Sequence, residues 1–220
     1  MRGKKNIPLT YYTDGSCGSK DRIGGWAAVR MVDLNASVFS PLRAQFNDLT
    51  NVLEVSHRAA GYNDTTISRM ELSGVIAAMA DAFRYNMLHR QIFGQVPRPV
   101  QVITDSQYVQ KGFTEHLDGW MRRGGLKANG EAVANFDLWL CAKALKEKTN
   151  AKVSWVRGHK GNVGNERADV LAGEQRKLIL KQAKKAKPTD SLVSGDHEWF
   201  QFTFDELQAL TQRVPKNSLF

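Results

Sequence analysis

The fold is decided by residues 100–117, which read VQVITDSQYVQKGFTEHL. The first five residues are largely β-branched and predict a strand that ends at Asp105. Residues 106–117 then predict a helix. A strand that leads into a helix is the repeating unit of an α/β sheet, so this stretch predicts an acidic side chain at the carboxyl end of a strand in such a sheet.

Three strands are predicted on the N-terminal side of this unit. Residues 7–13 alternate and run into TDGSCG, which predicts a strand with Asp14 at its end. The runs WAAVRMV (residues 26–32) and LEVSHRAAGY (residues 53–62) predict two more strands that form a meander with the first. Residues 33–50, which connect them, are unusually long for a hairpin connection and are predicted to be an insert.

Helices alternate with strands through the rest of the chain. From Met70 onward the apolar residues follow helical spacing, and Ser68 with Glu71 three residues later forms a capping-box signature. Residues 135–148 predict another helix and residues 152–157 a last strand. This strand opens into GHKGNVGNERADVLAG, with His159 in a glycine-rich loop and Asp169 in a helix. The alternation predicts an α/β fold with parallel strands.

Composition favours a nucleic-acid partner and a reducing compartment. The 220 residues include 31 Lys and Arg against 22 Asp and Glu, a formal charge of +9, although such an excess also serves solubility alone. Cys17 and Cys141 lie far apart and suggest neither a disulfide framework nor a zinc module. No segment approaches ~18 consecutive apolar residues, so we expect a cytoplasmic protein.

Four acidic residues are predicted to converge at one edge of the sheet. Asp14 and Asp105 end strands that can be neighbours, and ligand sites gather at the carboxyl ends of parallel strands. Glu71 and Asp169, each near the start of a helix, complete a four-carboxylate cluster. Their charges would repel one another unless divalent cations compensate them, and Mg²⁺ prefers oxygen ligands. Two such ions about 4 Å apart support in-line displacement at a phosphodiester.

Each acidic residue also has a simpler structural interpretation. Asp14 fits a turn, and Asp105 fits the N-cap of the following helix. Glu71 fits the third position of its capping box, and Asp169 fits a solvated helix face. Glu166 competes with Asp169 for the fourth place in the cluster. A single histidine in a loop is likewise more often a surface residue than a proton carrier.

Four segments, TDGSC, SRMEL, TDSQYV and GHKGNVGNERADVLA, resemble the bacterial type I ribonuclease H family in sequence and order, over about residues 7–175. The resemblance implies a ribonuclease H-like fold, a five-stranded mixed sheet flanked by helices on both faces. It implies an endonuclease that hydrolyses the RNA strand of RNA/DNA hybrids by two-metal-ion catalysis, leaving 3′-hydroxyl and 5′-phosphate ends. The catalytic residues it implies are Asp14, Glu71, Asp105, Asp169 and His159, of which the four carboxylates would bind Mg²⁺, with Mn²⁺ as an alternative.

The basic segment WMRRGG, residues 120–125, with NFDLW after it, resembles the basic handle of the same family. The handle is predicted to span residues 118–135 and to contact the nucleic acid. The residues predicted for this contact are Trp120, Arg122, Arg123, Lys127 and Gln107. The alternative for this segment is a solvated basic loop.

We expect a catalytic domain at residues 1–175 and a C-terminal extension at residues 176–220. The extension is rich in Lys and then in Pro, Ser and Gly, and a protein partner for it stays open. The expected protein is a monomer that binds RNA/DNA hybrids and no membrane. Two other functions stay open, a DNA nuclease of the resolvase or integrase type on the same fold and a non-catalytic module that binds hybrids.

Overall fold

The computed structural model describes residues 7–33, 52–185 and 193–195, and they form a mixed sheet with helices on both faces. The strands are β1 (Leu9–Cys17), β2 (Gly24–Asp33), β3 (Val52–Tyr62), β4 (Val100–Thr104), β5 (Lys152–Trp155) and β6 (Val193–Gly195). Their order in the sheet is β5-β4-β1-β2-β3-β6. The predicted α/β fold and its five strands are confirmed, and β6 adds a short sixth strand from the predicted extension.

The helical segments are α1 (Ile67–Phe93), α2 (Gln107–Lys111), a π-helical turn (Gly112–His116), α3 (Leu117–Arg122), α4 (Phe136–Thr149) and α5 (Val163–Ala183). The helix predicted for residues 106–117 is therefore the first part of a longer run of three segments. Helix α1 continues to Phe93, where Gly94 in the left-handed conformation (φ 62°) ends it.

Two apolar layers hold the helices on the sheet. On one face, α1 and α4 pack with the strands around Leu72 and Trp139, which are fully buried. On the other face, Ala168 and Ala172 of α5 pack with Val29 of β2. Small side chains on α5 let the helix lie close to the sheet, and each fully buried aliphatic side chain contributes ~1.5–3 kcal/mol to folding.

The register of β1 and β4 places two carboxylates side by side. The strands are parallel, and their last pair is Thr13 with Thr104, so Asp14 and Asp105 follow directly on adjacent strands. Strand β1 does not end at Asp14 as predicted, because its antiparallel pairing with β2 continues to Cys17. Asp14 is therefore a strand residue, and its interpretation as a turn residue is wrong.

Helix α5 crosses the predicted boundary between the catalytic domain and the C-terminal extension. Helix α5 continues through residue 175 to Ala183, and Ile179 within it is fully buried. Residues 34–50 of the predicted insert lie outside the described residues, as do residues 186–192 and 196–220 of the predicted extension.

Cys17 and Cys141 are both free. Among the described helices, none has the length and apolar character needed to cross a membrane.

Candidate active site

Three carboxylates from three different elements meet at the end of the parallel strands. Asp14 comes from β1, Glu71 from α1 and Asp105 from β4, and one oxygen of each lies within 4.8 Å of the others. Asp14 and Glu71 are buried, with 6% and 9% of their surface exposed, whereas Asp105 is half-buried. The fold thus brings these three residues together, as predicted.

Close packing of α1 on β1 brings Glu71 to Asp14. A Cβ atom built on Gly15 would lie 2.5 Å from the backbone nitrogen of Glu71, so any other residue there would force the helix away from the strand. The glycine of the sequence TDGSC therefore lets α1 approach and carries Glu71 into the cluster.

Glu71 is not part of a capping box, contrary to the interpretation from spacing. Helix α1 begins one residue before Ser68, and its N-cap is Thr66, whose hydroxyl accepts a hydrogen bond from the Arg69 backbone N–H at 3.3 Å. Glu71 therefore lies in the second turn, beyond the reach of a cap. Its buried Oε2 has no hydrogen-bond partner among the described residues, which leaves this oxygen available to a ligand.

Asp105 is likewise not a helix cap. The N-cap of α2 is Ser106, whose hydroxyl accepts from the Val109 backbone N–H at 3.4 Å. The Asp105 Oδ2 atom instead accepts a hydrogen bond from the Asn165 side-chain amide at 3.0 Å. Sequence reasoning missed Asn165, although its position four residues before Asp169 places both on one face of α5.

Asp169 lies at the open side of the cluster. Its side chain is half-exposed, and its charge and hydrogen bonding contribute to the raised pKa of Asp14. It is not one of the three carboxylates that lie within 4.8 Å of one another. The rival residue Glu166 accepts a hydrogen bond from the Gly161 backbone N–H at 2.9 Å and thereby holds the preceding loop.

His159 stands at the rim of this site. Its side chain is exposed, and its Nδ1 lies 3.9 Å from Asp169 Oδ2. The residue has a positive φ of 53°, a conformation that non-glycine residues rarely adopt. The loop before α5 thus holds an imidazole within reach of the carboxylates and of solvent.

Burial and mutual repulsion favour the protonated forms of the two buried carboxyls. Burial first, then the charge of Asp105, raises the pKa of Asp14 to about 8, against a hydrogen bond from the Gly15 backbone N–H. Burial first, then the charges of Asp14, Asp105 and Asp169, raises the pKa of Glu71 to about 9. A divalent cation would relieve this repulsion and occupy the unpartnered Glu71 oxygen, so the donor set fits a hard metal ion.

The predicted handle residues differ in their surroundings. Trp120 is half-buried and packs against Trp139 with ring centroids 5.2 Å apart, so it serves packing as well. Arg122 is exposed, and Arg123 is exposed but donates from Nε to the Leu126 carbonyl.

Lys127 is not an isolated charge, because its Nζ lies 2.9 Å from Glu131 Oε2. Gln107 is the exposed first residue of α2, two positions after Asp105. Gln107 is thus the predicted contact residue that lies nearest the carboxylates along the chain.

Known proteins resemble this chain in sequence and in fold. The model of the RNase H family matches residues 6–177. The ribonuclease H of Thiobacillus denitrificans is 37% identical over 163 residues, which cover 74% of this chain and 89% of that protein. The ribonuclease H of Granulibacter bethesdensis is 35% identical over 181 residues, covering 80% of this chain and 96% of that protein.

Two solved structures illustrate the likeness in fold. LC9-RNase H1, described as a type 1 RNase H with the type 2 active-site motif, superposes with a TM-score of 0.55 at 25% identity, covering 89% of this chain and 82% of its own. The foamy viral protease-reverse transcriptase in complex with RNA/DNA hybrid superposes with a TM-score of 0.60 at 18% identity, covering 79% of this chain and 20% of its own. With a family model matched from residue 6 to residue 177 and relatives matched over most of their length, the chain belongs to the ribonuclease H family.

Proposed function

We propose that this chain is an endonuclease that hydrolyses the RNA strand of RNA/DNA hybrids, with Asp14, Glu71, Asp105 and Asp169 holding Mg²⁺. The observation that carries the proposal is the meeting of three carboxylate oxygens within 4.8 Å, two of them from buried side chains. Buried carboxylates this close repel one another when they are ionised, and a bound cation would offset this repulsion. When bound, Mg²⁺ ions supply Lewis acidity at the phosphate and a more acidic water.

The acidic residues and His159 have different roles in this proposed reaction. The three clustered carboxylates and Asp169 would hold the metal, which would bind the scissile phosphate at this site. Hydrolysis adds the hydroxide of water to phosphorus and breaks the bond to the 3′ oxygen, which receives a proton and leaves as a hydroxyl. His159, exposed and 3.9 Å from Asp169, is suited to accept or release that proton.

Recognition of the hybrid rests on its two different strands. The 2′-hydroxyls distinguish the RNA strand, and the phosphates of both strands attract basic side chains. The exposed Arg122 and Arg123 supply positive charge on the segment that follows α2, and the formal charge of +9 supports a polyanionic partner. A relative of the same fold has been solved with an RNA/DNA hybrid.

The test compares three labelled substrates of one sequence, an RNA/DNA hybrid, duplex DNA and duplex RNA, each with Mg²⁺ and with EDTA. We expect cleavage of the hybrid alone, only with Mg²⁺, leaving 3′-hydroxyl and 5′-phosphate ends. Asp14→Asn should lose cleavage but keep hybrid binding, because the amide preserves the side-chain volume and removes one ligand charge.

The matched control for the charge change is Glu174→Gln, on the exposed side of α5. It should cleave at the normal rate. Cleavage of duplex DNA would instead favour the resolvase-type function, and binding of the hybrid without any cleavage would favour the non-catalytic module.

A further inference from the structure

A buried side-chain amide donates a hydrogen bond to one of the three clustered carboxylates. Asn165 lies near the start of α5 with 1% of its surface exposed, and its Nδ2 donates to Asp105 Oδ2 at 3.0 Å. Asp105 is itself within the group of three close carboxylates. The contact joins the first turn of α5 to the end of β4, two elements that each carry an acidic residue of the site.

The amide orientation has only one consistent solution. The Asn165 Oδ1 atom is buried and has no hydrogen-bond partner among the described residues. Turning the amide over would lose the hydrogen bond to Asp105, because it would set Oδ1 against the carboxylate oxygen. A buried carbonyl without a partner is unfavourable for folding, so the benefit of this asparagine is not its contribution to stability.

Helical spacing extends the effect of this contact to a second carboxylate. Asn165 and Asp169 are four residues apart in α5 and therefore share one face of the helix. The contact of Asn165 with Asp105, together with the packing of Ala168 and Ala172 on β2, sets the rotation of α5 about its axis. That rotation in turn decides whether Asp169 faces Asp14, whose pKa already responds to the Asp169 charge.

We propose that Asn165 is a positioning residue for the metal site, and this rests on the proposed function. Its amide fixes the orientation of the Asp105 carboxylate and seats α5 so that Asp105 and Asp169 face the same space. Partners that orient metal ligands in this way typically contribute 10- to 100-fold to metal affinity.

The test uses Asn165→Leu, which keeps a similar volume without the amide, and Asn165→Ala as a second variant of the full chain. The matched control is Asn162→Ala, because Asn162 is the N-cap of the same helix and accepts from the Asn165 backbone N–H at 3.1 Å. Removing the cap weakens the same end of α5 without removing the amide that orients Asp105.

Mg²⁺ alone is titrated into each metal-free protein by calorimetry, and thermal unfolding of the metal-free proteins is measured in parallel. We expect Asn165→Leu to bind Mg²⁺ about 10- to 100-fold more weakly, with a melting temperature no lower than that of the unchanged protein. In hybrid cleavage, kcat should fall while KM stays within about twofold. Asn162→Ala should show the reverse, a lower melting temperature with unchanged Mg²⁺ affinity.

Two outcomes overturn the proposal. One is a Mg²⁺ affinity in both Asn165 variants within about twofold of the unchanged protein, since orienting partners exceed that range. The other is an equal loss of affinity in Asn162→Ala, which would assign the effect to the helix end. Because the Mg²⁺ titration requires no substrate, its result stands apart from failure of the unchanged chain to cleave hybrids, which would contradict the proposed function.

Discussion

Glu71 has unfavourable surroundings in the metal-free protein. It is buried beside three other carboxylates, and its pKa rises from 4.5 to about 9. The unfolded chain releases this proton near pH 4.5, whereas the folded chain retains it until about pH 9. Its contribution to stability is therefore fully present in acid and is lost as the pH rises through this window.

The first prediction concerns Glu71→Gln in the metal-free protein. The free energy of unfolding of the unchanged protein should fall more steeply between pH 5 and pH 9 than that of the variant, because Gln has no proton to lose. At pH 8 the variant should melt higher by at least about 3 °C, which corresponds to ~1 kcal/mol in a protein of this size. Thermal unfolding in EDTA at several pH values measures both effects.

Mg²⁺ supplies the complementary measurement. Added Mg²⁺ should raise the melting temperature of the unchanged protein more than that of Glu71→Gln, because the cation binds only the folded site and needs the negative charge. Glu174→Gln should keep the pH dependence of the unchanged chain. Identical pH slopes in Glu71→Gln and the unchanged protein would show that Glu71 is already charged near pH 5.

The sequence motifs located the acidic residues better than they explained them. Asp14, Glu71 and Asp105 were predicted to meet, and they do. The cap interpretation of Glu71 was wrong because the helix begins earlier, with Thr66, another residue that can cap a helix, as its N-cap. The role of Asn165 could not be predicted, since an interaction between β4 and α5 depends on how the helix sits on the sheet.

At the scale of elements, regular patterns were predictable and irregular ones were not. The alternation in β4 is visible in the sequence because buried and half-buried residues alternate along the strand. The helical spacing of apolar residues in α1 is also visible, although residues 70–80 of the helix are all buried. The π-helical turn Gly112–His116 and the three-residue strand β6 have no such pattern. Both lie against other elements: Gly112 packs closely on Trp139 of α4, and β6 pairs with the edge of β3.

The basic residues of the predicted handle differ in whether an acidic side chain already pairs with them. Arg122 and Arg123 are exposed, whereas Lys127 is paired with Glu131. If the handle binds phosphates, the double variant Arg122→Ala/Arg123→Ala should weaken hybrid binding and flatten the slope of log K against log salt by up to ~0.9 for each phosphate that is no longer neutralised. Lys127→Ala should change the slope less, because its charge is already partly compensated.

Binding titrations at several salt concentrations measure these slopes, with Lys177→Ala on α5 as a control for removal of charge alone. If the slope of log K against log salt for the double variant is no flatter than that for Lys177→Ala, the segment is a solvated basic loop that does not bind phosphates. A larger effect from Lys127→Ala than from the arginine pair would show that Lys127 leaves Glu131 to bind the substrate.

At the scale of the whole molecule, helix α5 continues past the change in composition at residue 176, where the catalytic domain is predicted to end. The last two turns of α5 pack on β3, where a Cβ built on Gly61 would lie 2.9 Å from Ile179 Cγ1. Arg176 also bridges to Asp21 at 2.7 Å, between β1 and β2. A unit that ended at residue 175 would lack both interactions.

The last prediction follows from this boundary and compares two shortened chains. A chain ending after Gln175 lacks the fully buried Ile179, a deletion that by analogy with Ile→Ala costs ~2–5 kcal/mol and should lower the melting temperature by at least about 4 °C. A chain ending after Lys185 keeps all of α5 and, among the elements that the structure describes, loses β6, which pairs with three residues at the edge of β3. It should melt within a few degrees of the full chain and keep its Mg²⁺ affinity, because the elements that carry the carboxylates remain. Thermal unfolding and Mg²⁺ titration of the two chains test this prediction. Equal melting temperatures would place the end of the catalytic unit at residue 175. An unstable chain ending after Lys185 would show that the catalytic unit needs the last 35 residues.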